Sequence, residues 1–391
     1  MMYTTNTTTT TTITTIRSLI RNVAKTSKWN RRSSSLRQFS SSSHQGKTSS
    51  SGSGSSSSSN NDNHQGRVVT TVDSATGIAT VELNRPDKLN ALDIQMFRAI
   101  RDAAVSLRND RSVRVVILTG RGRAFCTGLD VSSFVKGTAT TSSSLSSSSF
   151  PMNPFKAMRQ LLERNSSDDN DNSSSSSNSS TNVANLAQDV SYAWRTLPVP
   201  VICAIHGMCY GGGLQIALGA DVRFVTEECK LSIMESKWGL IPDMGASVTL
   251  RELVSIDTAK ELTFTGRIID GNEAVRLGLC TRVASDPVVE ARGMAERIIT
   301  RSPDALAAAK EMYHRTWAAP SASYCLRVET ELQERLLLRW NQVAASTRAT
   351  LGWRLPYFQR QNERPLQTPE EGEEEQSREV VLQQQEEQDK R

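Results

Sequence analysis

The stretch His206-Gly-Met-Cys-Tyr-Gly211-Gly-Gly-Leu-Gln215 decides how the chain is read. It follows an apolar, uncharged run, Val199-Pro-Val-Ile-Cys-Ala-Ile205, whose pattern predicts a buried strand. It opens a helical pattern that reaches about Leu218. Three glycines entering a helix let backbone N–H groups approach an anion or a developing oxyanion, and the helix dipole adds to the attraction. A turn that is only tightly packed uses the same residues, so the cluster alone does not decide between packing and catalysis. It lacks the GxGxxG spacing of a dinucleotide site, and no GK[ST] follows for a P-loop.

A second glycine loop, Gly122-Arg-Ala-Phe-Cys-Thr-Gly128-Leu-Asp-Val131, also follows a strand pattern, Val113 to Thr119, ending at Gly120. Further out, Val68 to Val72 and Ile78 to Leu83 read as a hairpin. Asp93 is placed to cap a helix reaching about Leu107, with Ile94, Phe97, Ile100 and Ala104 on one face. Short strands are expected at Val222–Val225 and Leu231–Met234, and a mostly helical pattern from Asp257 to about Gln361. Strands alternating with helices make this an α/β domain.

Hydrophobic residues are only 37% of the 391 and aromatic ones 5%, too few for a chain folded throughout. The polar excess lies in a Ser/Thr-rich leader (1–66), a Ser/Asn-rich insertion (about 132–181) and a Glu/Gln-rich tail (362–391). Such tracts bury too little apolar surface to offset their ordering entropy. What remains is one domain over 67–361, interrupted by the insertion, with about 245 residues available for a core. A helix over Phe155–Glu163 is expected inside the insertion. Collagen, coiled-coil and disulfide-scaffold classes are excluded by this composition.

The net charge of +5 is a property of the leader, where residues 1–61 carry Lys and Arg but no Asp or Glu. It is therefore no argument for nucleic-acid binding. An acid-free, Arg-, Ser- and Thr-rich leader with Arg37-Gln-Phe39 before Ser40 reads as a mitochondrial transit peptide, which places the protein in the matrix. A disordered basic tail is the competing reading. The six cysteines, Cys126, Cys203, Cys209, Cys229, Cys280 and Cys325, form no CxxC pair, so free thiols are expected and no metal is implied. His206 and His314 are isolated and read as structural. Leu197 to Ala220 is long enough to span a membrane, but its prolines and glycines fit strand, turn and helix better.

Several spaced motifs together resemble the crotonase (enoyl-CoA hydratase/isomerase) superfamily over essentially all of the ordered part. They are Val81-Glu-Leu-Asn-Arg-Pro-Asp-Lys-Leu-Asn-Ala-Leu92, Gly122 to Val131, Ala204 through Gly211-Gly-Gly to Arg223, Glu235 through Gly239-Leu-Ile-Pro-Asp243, and Ala259-Lys-Glu-Leu-Thr-Phe-Thr-Gly266. The resemblance implies a spiral of ββα units with a C-terminal helical trimerisation region, to which Leu326–Arg360 corresponds. It also implies a homotrimer or dimer of trimers, and a coenzyme A thioester as substrate with no separate cofactor. The thioester oxygen is expected between the backbone N–H groups of Leu129 and Gly212. Lys88, Ala91, Gly128, Asp130, Val131 and Gly211 are expected along the substrate, with Arg85 and Lys88 beside the phosphates. Solvated charges at a strand end are the plainer reading of those two cations.

The acid/base residues then set the reaction. Hydratases of the superfamily carry glutamates at the positions of Gln215 and Glu235, and this chain keeps only the second. An amide cannot exchange a proton near neutral pH, whereas Glu235 can. Glu235 is thus expected as proton carrier, with Gln215 facing the same site and Asp243 assisting. Asp243 sits where dienoyl-CoA isomerases carry an aspartate, although those enzymes also have an acid at the Gln215 position. The plainer alternatives are a surface ion pair for Glu235 and a helix N-cap for Asp243. Double-bond isomerisation is the leading reaction, hydration the second, and a catalytically weak binding protein of this fold the reading from another class. A Clp-type serine protease finds no support, because no serine stands in a nucleophile motif by the glycine loops.

Overall fold

The computed structural model describes residues 66–131, 161–162, 184–319 and 321–361. The leader, the tail and most of the insertion lie outside the described residues, and so does the transit-peptide reading. Of the helix expected over Phe155–Glu163, Leu161 and Leu162 are helical and the rest falls outside.

Strands β1 (Val68–Val72) and β2 (Ile78–Leu83) form the expected antiparallel hairpin. Helix α1 (Ile94–Asn109) begins at Asp93, whose side chain accepts from Met96 N at 2.8 Å. Strand β3 (Val115–Gly120) follows, then α2 (Leu186–Arg195), capped reciprocally by Asn185 and Gln188, and β4 (Val201–Ile205). The decisive glycine stretch makes β5 (Met208–Tyr210) and helix α3 (Gly212–Leu218). After it come β6 (Val222–Val225), β7 (Lys230–Ser232), α4 (Ala246–Leu253), α5 (Ile256–Thr265), α6 (Gly271–Arg276) and β8 (Arg282–Val283). Helices α7 (Pro287–Ile298), α8 (Pro303–Thr316), α9 (Ala322–Leu336) and α10 (Trp340–Leu351) complete the described part.

The main sheet has the order β1-β2-β3-β4-β6-β8, parallel from β2 onward. Period-two alternation divides its side chains between two faces. Ala79, Val81, Val116, Leu118, Cys203 and Ile205 join Phe97, Ile100, Val190 and Trp194 in the larger core. Ile78, Val115, Ile117, Ile202 and Phe224 face Ala291 and Ala295 of α7 on the other side. Helices on both faces explain why β3 and β4 are buried throughout and almost wholly apolar, Thr119 excepted, instead of alternating with polar residues.

Beyond shifted bounds, such as Lys230–Ser232 for the strand expected at Leu231–Met234, and the unforeseen α2, β5 and α4, two further differences stand out. The C-terminal segment holds α9 and α10 as expected, but residues 352–361 return without regular structure. They are held by Asn341, which accepts from Phe358 N and donates to Asp304. The two-residue β8 is a second difference, since so short a strand leaves no periodicity in the sequence.

Candidate active site

The two glycine loops run side by side. Phe125 N donates to His206 O at 2.9 Å, Cys126 N to Met208 O at 3.1 Å, and Tyr210 N to Cys126 O at 3.0 Å. A few residues on, the first loop is stitched to Leu92, whose N–H donates to Gly128 O at 2.8 Å while Asp130 N donates to Leu92 O at 2.9 Å. In such a parallel bridge the residue between the two bonds, Leu129, directs its own N–H away from Leu92. Gly128 makes the close approach possible: its φ is +82°, and a Cβ there would lie 2.8 Å from Tyr210 O and 3.4 Å from Gly212 N. Gly212 opens α3, so its N–H has no intrahelical acceptor. Among the described residues no backbone acceptor takes either N–H. The structure thus brings Gly128 and Leu129 against Gly212, as the motifs led one to expect.

One turn along α3, Gln215 is 2% exposed and turned into the same place. Its Nε2 donates to Glu235 Oε1 at 2.6 Å, and its Oε1 accepts from Met244 N at 2.8 Å. Glu235 starts a 3-10 turn (Glu235–Trp238) just after β7. Because β7 pairs with β5, the turn is delivered beside Gly211, where a Cβ would lie 3.3 Å from Glu235 Oε1. Glu235 is buried, and its Oε2 has no hydrogen-bond partner. Burial pushes this carboxyl above the usual carboxylate range. Hydrogen bonds from its own backbone and from Gln215 oppose that rise, and the negative charge of Asp243 adds to it. Glu235 is therefore no surface ion-pair residue.

Asp243 lies on the open side, exposed, and partial burial by the surrounding chain also raises its carboxyl. It is not a helix N-cap, because α4 starts later, from Gly245 in a left-handed conformation. Corrections fall on the first motif. Arg85 is not free for a phosphate: it donates to Ala91 O and to Asp130 Oδ2 (3.0 Å), and its head group lies 3.4 Å from Asp93. The Asp130 side chain is likewise buried against Arg85. Ala91 contributes a carbonyl to the same clamp, and Val131 N turns back to Leu129 O at 2.9 Å. Lys88 stays exposed at the end of the turn Pro86–Lys88.

Two contributors escaped the sequence reading. Asn90, fully buried with φ +56°, donates its amide to the carbonyls of Arg121, Ala124 and Phe125 and holds the first glycine loop in place. A buried amide in a left-handed conformation has no local signature beyond Asn itself. Met244 acts through its main chain, which no side-chain pattern reveals. His206 joins the loops through Gly122 O at 3.0 Å.

A cavity of about 300 Å³ lies elsewhere, lined by Arg195, Asp221, Glu252, Lys310 and His314 among others. Its charges are occupied by one another: Arg195 with Glu252 at 2.7 Å, Lys310 with Asp221 at 2.7 Å. Burial pushes the His314 imidazole down to about 2, so it stays neutral. These ion pairs join the segments around the cavity, whereas the glycine loops and Glu235 hold groups suited to chemistry. All six cysteines are free thiols. Among the described residues no His/Cys/Asp/Glu group is arranged to hold a metal, and no helix is long and apolar enough to cross a membrane.

The two glycine loops meet beside the buried Glu235 carboxyl, on the α/β fold of the crotonase class. The chain belongs to the enoyl-CoA hydratase/isomerase family, whose model matches residues 78–291. It is 28% identical over 242 residues to a carnitinyl-CoA dehydratase of Proteus mirabilis (61% of this chain, 77% of the relative), and 29% identical over 246 residues to one of Salmonella enteritidis (62% and 79%). A candidate enoyl-CoA hydratase/isomerase structure from Mycobacterium abscessus superposes with a TM-score of 0.62 at 26% identity, covering 75% of this chain and all of that one. An enoyl-CoA hydratase structure from Bacillus anthracis shares the fold, with a TM-score of 0.61 at 24% identity over 74% of this chain and 98% of that one.

Proposed function

We propose that the protein shifts double bonds in enoyl- or dienoyl-CoA thioesters, with Glu235 as the proton carrier. The observation that supports this most is the pairing at the base of the site: one carboxyl beside an amide, where two carboxyls would serve addition of water. Glu235 takes a proton from the carbon next to the thioester carbonyl. The electron pair moves onto the carbonyl oxygen, where the N–H groups of Leu129 and Gly212 stabilise the enolate. The protonated Glu235 then returns the proton to the far carbon of the allylic system, and the double bond moves by one position. Asp243 assists from the open side. The same proposal includes a homotrimer or dimer of trimers acting in mitochondrial fatty-acid oxidation.

A second reading is reversible addition of water to a 2-enoyl-CoA, favoured by the dehydratase and hydratase names of the relatives. Its weakness is Gln215, whose carbonyl and one N–H are already engaged by Met244 and Glu235 instead of water. Purified protein given 2-enoyl-, 3-enoyl- and 3,5-dienoyl-CoA separates the two by product mass and absorbance. A gain of one water without any isomerised product would remove the isomerase reading. Glu235→Gln should lower turnover by about 10²–10⁴-fold. Unchanged turnover would remove the enzyme reading for these substrates.

A further inference from the structure

The amide of Gln215 can sit only one way round. Met244 N–H is a donor and must face the amide oxygen, so the amide NH2 is the end that meets Glu235 at 2.6 Å. Glu235 Oε1 is thereby held as an acceptor, while Oε2 is buried and has no hydrogen-bond partner. The same glutamine ties together the three segments that make the site. It rides on α3 two residues after the Gly212-Gly213 turn, with its own carbonyl taken by Ser191 Oγ at 2.7 Å. It also fixes Met244, whose sulfur lies where a Cβ on Gly212 would come within 2.8 Å.

We propose that Gln215 is a positioning residue: it orients Glu235 so that Oε2 alone exchanges the proton, in register with the N–H of Gly212. This rests on Glu235 being the proton carrier. Gln215 does not exchange a proton itself and touches no reacting atom. A glutamate in its place would share a proton with Glu235 across the same short contact and compete for it. The absence of a second carboxyl is then a device that keeps one acid/base group in one orientation. The groups facing the Glu235 carboxyl are the Gln215 amide from α3, the charged Asp243 from the segment before α4, and the main chain of residues 234 and 235.

The test uses the full chain and reads deuterium uptake from D2O at the carbon next to the thioester, with butyryl-CoA as the probe. Uptake reports proton removal whichever net reaction follows. Gln215→Met keeps the length and loses both hydrogen bonds. Its uptake rate at saturation should fall about tenfold or more, with half-saturation for butyryl-CoA changed by less than about twofold. Its acid limb should move to higher pH, because a hydrogen bond that favours ionised Glu235 is gone. Gln215→Glu, which keeps a polar partner and so a folded site, should move that limb up as well. If the limbs of both variants coincide with that of the unaltered protein, the positioning role is overturned while Glu235 stands. If Glu235→Gln exchanges deuterium at the unaltered rate, the proton-carrier reading itself falls, and this inference with it.

Discussion

At the residue scale the site turns on one buried carboxyl. The folded state holds Glu235 above the usual carboxylate range, through burial first and Asp243 in addition. The proposed proton removal needs the base form, so activity should be lost on acidification at a pH above the ordinary glutamate value of about 4.3. The same shift has a stability side. A carboxyl whose folded pKa is raised is penalised when ionised, so stability falls as pH rises from the unfolded pKa through the folded one. Glu235→Gln removes that penalty. Its melting temperature should exceed that of the unaltered protein at pH 8, and the gap should close at acidic pH where both side chains are neutral. Melting curves at pH 8 and pH 4 check both points, and a gap independent of pH would contradict the buried-carboxyl account.

At the scale of elements, a loop is held by groups that look functional in the sequence. Arg85 and Asp130 have side-chain exposures of 9% and 7%, and with the carbonyl of Ala91 they close the first motif onto the Gly128 loop. Arg85→Met removes the guanidinium that lies 3.0 Å from Asp130 and 3.4 Å from Asp93, and should cost about 3 kcal/mol of stability by denaturant unfolding. It should also lower turnover, since the loop that presents Leu129 N–H loses its clamp. A variant as stable as the unaltered protein would mean that the pair contributes nothing. Most of the strands, the cap at Asp93 and the two glycine loops were legible because periodicity and capping are local signals. The roles of Arg85, Asp130 and Asn90 were not. Their partners lie about 30 to 45 positions away, and charge alone does not tell a clamp from a ligand.

At the scale of the whole molecule, Lys310 joins the C-terminal helices to the sheet. Its ammonium donates to the carbonyls of Trp194 and Val199 and pairs with Asp221, all in a buried setting. This closes the C-terminal end of α2 and anchors α8, a long-range join between residues more than 100 positions apart. The proposed mitochondrial address belongs to this scale too, and that proposal rests on the leader alone. Residues 1–66 fused to a fluorescent protein should deliver it to mitochondria in eukaryotic cells, by microscopy. Diffuse fluorescence would leave the disordered-tail reading.

By itself, the sequence determined the α/β class, the place of most of the strands, and the family, through motifs kept in order. These follow from local period, composition and spacing, which need no knowledge of what lies across the fold. Only the tertiary structure decided what those residues do to each other. It put the Gln215 amide on Glu235 and left Oε2 unpartnered, and it turned Arg85 and Asp130 inward. The reason is physical: a carboxyl's proton affinity and a cation's availability depend on burial and on partners supplied by distant segments. Those exist only once β5, β7 and the two glycine loops have come together.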